Sequence, residues 1–165
     1  MVPRCLFAVA LIVAIAIPAQ VLGDQAADAV LVVKSERRLY LLRENEAIAS
    51  YPVTFGSNPE GHKAREGDER TPEGRYELDW KNVHSAFYKA IHVSYPNAND
   101  RADAAANDED PGGAIMIHGQ KNGYGWAGRG MQFVDWTDGC VALTDKDMQL
   151  VWDLVSEGTP VEILP

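Results

Sequence analysis

Two cysteines, Cys5 and Cys140, are the strongest potential nucleophiles in this 165-residue sequence. A thiol attacks only as thiolate, and with an ordinary pKa of about 8.5 it needs a base or a cationic neighbour at neutral pH. The sequence offers four histidines as that base: His62, His84, His92 and His118. His62 lies in a polar stretch, His84 at a turn and His92 in an alternating run where a structural histidine is common. His118 differs, because it ends the apolar run Ala114 to Ile117 and is followed by Gly119, so its imidazole is expected at a rim with backbone passing close by. Cys140 has a matching context, with Gly139 before it and the apolar Val141-Ala142-Leu143 after it. Two rim positions on neighbouring strands could bring thiol and imidazole within hydrogen-bond reach, as nucleophile activation requires. The bland alternative is a buried thiol acting as a small hydrophobe.

The compartment weighs on that choice. Met1 to Arg4 carries one positive charge, Leu6 to Ile17 is uninterrupted apolar sequence, and Val21-Leu22-Gly23 supplies compact residues where a signal peptidase cuts. This is the layout of a secretory signal peptide spanning residues 1–23. Its apolar run is too short for a bilayer core, which takes about 20 residues, so no membrane span is expected after cleavage. Residues 24–165 then form a single domain, exported to a periplasm or cell envelope. Cleavage removes Cys5 and leaves Cys140 alone where cysteines ordinarily pair as disulfides.

Charge excludes other functions. Arg4 is the only charged side chain among residues 1–23, so the remainder holds 14 basic and 24 acidic side chains, a net charge of −10. Such a chain has no electrostatic basis for gripping nucleic acid or anionic lipid. The acidic stretch Asn97 to Asp110 lacks the order of a calcium loop and is expected as a solvated loop or short helix. One cysteine and scattered histidines fall short of a zinc ligand set, so neither a metal nor another cofactor is expected.

Several strands must position the pair. Ala29 to Val33 and Leu39 to Leu42 read as a strand, a turn and a strand; Ala47 to Gly56 continues as a third, with Pro52 marking an edge or a bulge. Ser57 to Arg70 has no apolar pattern and is expected as a long surface loop, functional or mobile. Thr71-Pro72-Glu73-Gly74 is a turn into the alternating Arg75 to Trp80, and Lys89 to Tyr95 alternates in the same way up to Pro96. Ala114 to Ile117 suits a strand buried on both faces, and Gly119 to Gly130 a glycine-rich loop. Thr144 and Asp147 approximate a capping box for a helix whose apolar face is Met148, Val151, Trp152 and Val155, ended by Gly158. Thr159 to Leu164 closes the chain as a strand. The result is a mainly β domain with one packed helix, an α+β arrangement.

Ile117-His118-Gly119, a glycine-rich loop and then Thr137-Asp138-Gly139-Cys140-Val141-Ala142-Leu143 resemble the active-site signature of the L,D-transpeptidase catalytic domain, or YkuD, family. The resemblance extends to Gly67 to Leu78, with its Thr-Pro-Glu-Gly turn, and to the opening strand pair. It implies a β-sandwich or barrel-like catalytic fold and an enzyme acting on diaminopimelate-containing peptidoglycan stem peptides. Residue by residue, it implies that Cys140 forms a thioester with a stem-peptide carbonyl and that His118 is the general base, oriented by the Gly119 carbonyl. Thr137 matches the Ser/Thr of the signature, and the backbone N–H groups around Gly139 and Cys140 correspond to oxyanion donors.

Two positions depart from the pattern: Asp138 stands where many members have a second histidine, and Ala142 where many have Arg or Asn. With Trp136 in front, this segment resembles the YafK-like branch, which includes a member resembling an amidase that releases lipoprotein from peptidoglycan. Hydrolysis, with wall-linked lipoprotein as a further partner, is therefore an alternative to transpeptidation. A non-catalytic wall-binding module is a third reading, disfavoured because it has no use for a free thiol. A papain-like protease would place its cysteine before its histidine. Tyr124, Trp126 and Arg129, in the loop between base and nucleophile, are candidates for shaping the pocket or binding a substrate carboxylate.

Overall fold

The computed structural model describes residues 26–165. The segment expected as a signal peptide, with Cys5, lies outside the described residues. Eight strands form one sheet: β1 (Ala29–Val33), β2 (Arg38–Arg43), β3 (Glu46–Pro52), β4 (Gly74–Asn82), β5 (Ala90–Val93), β6 (Met116–His118), β7 (Val141–Ala142) and β8 (Thr159–Leu164). Their order is β3-β2-β1-β8-β4-β5-β6-β7. Only β1 with β8 and β6 with β7 run parallel; the other neighbours are antiparallel. Among the described residues, two α-helices accompany the sheet, α1 (Ala98–Ala106) and α2 (Asp145–Leu154).

Alternation decides which face of each strand is buried. Val30 and Val32 of β1, Leu39 and Leu41 of β2, Tyr76 and Leu78 of β4, and Val161 and Ile163 of β8 all point into one core, as the period of two in a pleated strand requires. Met148 and Val151 of α2 join that core from their helical spacing, followed by Val155 just past the helix end. Thr144 caps α2 by accepting the Asp147 N–H, which satisfies one of the free donors of its first turn.

The sheet does not end in two open edges. The third strand stops at Pro52 rather than running to Gly56, and the chain beyond it crosses to the opposite edge. There Thr54 and Ala142 exchange two backbone hydrogen bonds, of 3.0 and 2.9 Å. The sheet is thus a strongly curved half-barrel bridged across its opening, which removes unpaired edge groups beside β7.

One further segment differs from the expectations, and two others meet them with added detail. Ala114 to Ile117 is not buried on both faces: Ile115 and Ile117 are in the core, Ala114 is exposed and Met116 half-buried, because the second face of β6 lines a cleft. The acidic stretch forms α1, where Asn97 and Asp100 make a reciprocal capping box. The 57–70 loop is irregular but pinned, with Lys63 buried inside it.

Candidate active site

The parallel register of β6 and β7 pairs Ile117 with Val141 and His118 with Ala142. Two residues further back the same alternation sets Cys140 beside Met116, whose N–H donates to Cys140 Sγ at 3.4 Å. Residues two apart on a strand share a face, so His118 and Cys140 lie diagonally on the same face of this strand pair. Both line one cleft of about 530 Å³, with Trp80, Phe87, Trp136 and Lys121 among its walls.

His118 is buried, and its Nδ1 lies 2.6 Å from the Gly119 carbonyl oxygen. A carbonyl only accepts, so Nδ1 carries the hydrogen and Nε2 keeps its lone pair. The ring packs against Phe87, with centroids 4.7 Å apart, and meets Trp136 edge-on. Burial among these rings holds the imidazole below its ordinary pKa, and the Gly119 carbonyl opposes that shift only in part. The histidine is therefore a neutral base at neutral pH.

Close backbone packing holds this imidazole in place. The Gly119 N–H is shared between the carbonyls of Phe87 and Lys89, each at 3.1 Å, and the His118 carbonyl accepts from the Leu143 N–H at 2.8 Å. A side chain at 119 would sit 2.8 Å from Asp145 Oδ1 and 2.9 Å from Tyr88 Cβ, so glycine is required there. Asp145, the first residue of α2, accepts the Gln120 N–H at 2.8 Å. The capped helix thus anchors the strand end that carries His118.

The loop that carries the thiol is stapled by Thr137. Its hydroxyl donates to the Cys140 carbonyl at 2.8 Å and accepts from the Gly139 N–H at 3.2 Å. The Gly139 N–H is thereby occupied, which leaves the Cys140 N–H as the backbone donor beside the thiol. Gly139 has φ +123°, and a Cβ there would lie 2.5 Å from the Arg70 carbonyl oxygen; both conditions require glycine. The thiol itself is protonated at rest. Sγ lies 3.7 Å from the Ala114 carbonyl, and burial pushes the thiol above its ordinary pKa; the Met116 N–H offsets this in part, while the nearby Asp138 adds to it. Ala114 holds φ +54° and Tyr88, behind Gly119, φ +64°. Non-glycine residues in this region store strain, which concentrates at functional sites.

The residues singled out from sequence divide in two. His118, Thr137, Asp138 and Cys140 line the cleft, and Gly119 and Gly139 support it. Tyr124, Trp126 and Arg129 do not line it. They belong to a kinked 3₁₀ segment (Gly125–Phe133) and the residue before it, where Tyr124 and Trp126 are exposed and Arg129 reaches Asp147 at 3.5 Å. The segment is broken at Gly128 (φ +50°), whose carbonyl accepts from the Gln120 side chain at 2.5 Å. The opposite wall comes from the end of β4, with Trp80 and Asn82, and from the β4–β5 connection, with Ser85 and Phe87, which sequence reasoning passed over; an exposed Trp80 at a strand end was the available signal. Lys121 is the one basic side chain among the lining residues. His62 and His92 are engaged elsewhere: His62 Nδ1 accepts the Glu73 N–H, and His92 meets Asp79 at 2.7 Å while stacking on Trp80; His84 is exposed outside the cleft. Among the described residues no cluster of His, Cys, Asp and Glu could hold a metal ion, and no helix is long and apolar enough to cross a membrane.

Known proteins share this arrangement. YafK of Escherichia coli (strain K12), which bears the L,D-transpeptidase name, is 36% identical over 92 residues, covering 52% of this chain and 35% of that protein. The cell-shape-determining protein Pgp2 of Campylobacter jejuni superposes with a TM-score of 0.61 at 26% identity, over 82% of this chain and 46% of that one. Bd1075 of Bdellovibrio bacteriovorus gives 0.59 at 22% identity, over 86% and 49%, and an L,D-transpeptidase of Xylanimonas cellulosilytica 0.53 at 13%, over 84% and 61%. The latter two speak to the fold alone. The chain spans about a third of the length of the curated relative and about half that of Pgp2. Residues 27–163, nearly all that the structure describes, match the profile of the L,D-transpeptidase catalytic domain. With its half-barrel and a histidine and cysteine sharing one strand face, the chain belongs to the L,D-transpeptidase catalytic domain (YkuD) family.

Proposed function

We propose that this protein is an exported cysteine acyl-transfer enzyme acting on peptidoglycan stem peptides, with Cys140 as nucleophile and His118 as general base. One observation carries the proposal: a neutral imidazole, fixed through Nδ1 by the Gly119 carbonyl, shares a cleft with a free thiol. Burial holds the two pKa values apart in the sense that disfavours a standing thiolate–imidazolium pair, so the proton leaves Sγ as the carbon–sulfur bond forms. His118 Nε2 takes that proton and returns it to the leaving amine as the amide C–N bond breaks, leaving a thioester. The Cys140 N–H faces the developing oxyanion. An incoming amine, or water, then attacks the thioester, and the sulfur departs and regains its proton.

Lys121, the one cation on the cleft wall, supplies the charge to hold a substrate carboxylate, while Ala142 contributes no polar group beside the thiol. That lack favours water as a competing acceptor, so release of peptide or of wall-linked lipoprotein is the second reading. Residues 1–23 serve as the export signal on this proposal, and residues 24–165 as the catalytic unit.

The test is mass spectrometry of muropeptides and of lipoprotein-linked sacculi after incubation with the protein, with Cys140→Ala in parallel. New cross-linked or exchanged products that require Cys140 identify a transpeptidase, and release without new bonds identifies a hydrolase. Identical product profiles with the two proteins would refute the acyl-transfer assignment.

A further inference from the structure

The 57–70 loop, expected as a long surface segment either functional or mobile, contains a closed knot of charge. Lys63 and Asp68 are nearly fully buried, with 4% and 8% of their side chains exposed, and meet at 2.8 Å. Lys63 Nζ also donates to the Arg65 carbonyl at 2.9 Å. One carboxylate oxygen of Asp68 accepts the N–H groups of Ala64 and Arg65, at 2.7 and 3.1 Å, and the other accepts that of Arg70 at 3.1 Å. An ion pair with most of its valences filled is expensive to disturb, since removing one partner strands a buried charge. Nothing in the chemistry of the cleft uses it directly.

The knot ends against the nucleophile loop. Its last residue, Arg70, places its carbonyl oxygen 2.5 Å from where a Cβ of Gly139 would stand, and the Glu69 carbonyl lies 1.9 Å from the corresponding point on Gly56. That point on Gly56 is in turn 2.9 Å from the Gly139 nitrogen. A second route runs through Ser57, whose hydroxyl donates to the Glu69 carboxylate and whose N–H donates to the Thr137 carbonyl at 3.0 Å. Asn58 adds a third tie, donating from its backbone to the Glu69 carbonyl and from its side chain to that of Asp68. Two glycines, 56 and 139, exist at this seam because backbone must meet backbone there.

We propose that Asp68, paired with Lys63, is a positioning residue for Cys140: it fixes the Glu69 and Arg70 carbonyls as a rigid stop that holds Gly139, and through it the thiol, in the cleft. The pair touches no substrate and acts only through residues 56, 57, 69, 70, 137 and 139. The positive end of the knot also acts on the thiol electrostatically, lowering its pKa against the opposing influence of burial and of Asp138. His118 faces the same cleft as a neutral group. The inference builds on the assignment of Cys140 as nucleophile, but its test reads the thiol itself and needs no wall substrate. Failure of the acyl-transfer reading is therefore distinguishable from failure of this one.

The experiment measures iodoacetamide alkylation of Cys140 against pH in the wild type, Asp68→Asn and Lys63→Gln, with thermal melting of each. Both variants are expected to fold, to alkylate more slowly at pH 8 by about tenfold, and to show a profile displaced to higher pH. Lys63→Gln leaves all three N–H bonds to Asp68 in place, so it tests the proposal even where Asp68→Asn does not fold. Val30→Ala, in β1 and separated from β6 by three intervening strands, controls for general destabilisation: it should lower the melting temperature without moving the profile. Wild-type rates and profile in folded Lys63→Gln would overturn the proposal, as would an equal displacement in Val30→Ala.

Discussion

Replacing Gly139 by alanine isolates the seam on which the nucleophile rests. The residue has φ +123°, where an L side chain is strained by about 1–3 kcal/mol. The added methyl would also stand 2.5 Å from the Arg70 carbonyl oxygen and 3.2 Å from Ile115 Cδ1. Backbone and a core side chain cannot both yield cheaply, and overpacking of this kind costs about 1–3 kcal/mol more. The two effects overlap, because a shift that relieves one also relieves the other, so the expected loss is about 3 kcal/mol. For a domain of this size that corresponds to a fall in melting temperature of about 10 °C. Differential scanning calorimetry measures this loss, and alkylation of Cys140 reports whether the thiol has moved. The expected result is a large fall in melting temperature together with slower alkylation. A melting temperature within about 2 °C of wild type and an unchanged alkylation rate would show that the loop relaxes freely, and the close packing described for this seam would be wrong.

Other outcomes follow from the same structure. The alkylation rate of wild-type Cys140 should rise with pH to a midpoint above the ordinary thiol value of about 8.5, because burial raises its pKa; a plateau already reached near pH 6 would instead show a standing thiolate. Asp68 is held down to about 2 from 3.8: burial opposes the shift, but Lys63 and three backbone N–H groups outweigh it. A depressed carboxylate stabilises the fold above its unfolded pKa and loses that contribution as pH falls toward its folded value. Urea unfolding should therefore show Asp68→Asn less stable than wild type by about 2 kcal/mol at pH 6, the gap closing between pH about 4 and 2; a pH-independent gap would contradict the pairing. Lys121→Ala should raise KM several-fold for a carboxylate-bearing substrate with kcat little changed, and equal losses in both would place Lys121 outside substrate binding. Asp135 bonds Arg37 through both oxygens and also accepts the Phe55 N–H. Asp135→Ala should cost about 1–2 kcal/mol in chemical denaturation, given a partly exposed partner.

Much of this fold is legible from periodicity. β1 and β8 fall where the alternating Val and Ile residues place them, and α2 begins at the Thr144 cap. These are local signals, and local rules read them. His118 and Cys140 stand out because each interrupts an apolar run beside a glycine. The contributions of residues 80–87 and of the Lys63–Asp68 knot are not legible in the same way. Trp80 at the end of β4 shares the cleft with β6 only because the sheet sets β5 alone between them, and Lys63 is buried against Asp68, which turns back on it five residues later. Both depend on tertiary contacts that polar loop sequence does not advertise. Tyr124, Trp126 and Arg129 show the converse failure: lying between His118 and Cys140 in sequence does not bring them into the cleft, since Tyr124 and Trp126 face solvent and Arg129 reaches Asp147 instead.

The pairing of β1 with β8 joins residues near 30 to residues near 162. Closing a loop of that length early in folding is entropically unfavourable, and topologies dominated by such distant pairings fold slowly. β8 also separates β1 from β4, so the middle of the sheet cannot consolidate until the last strand has been made. The hairpin of β1, β2 and β3 on one side and the β4-to-β7 segment on the other are then two halves without a shared seam. Only when β8 inserts can Thr54 meet Ala142 and the bridge beside Cys140 close. A chain caught before that moment would hold His118 and Cys140 on their strand pair without the Thr54 bridge that closes the edge beside them.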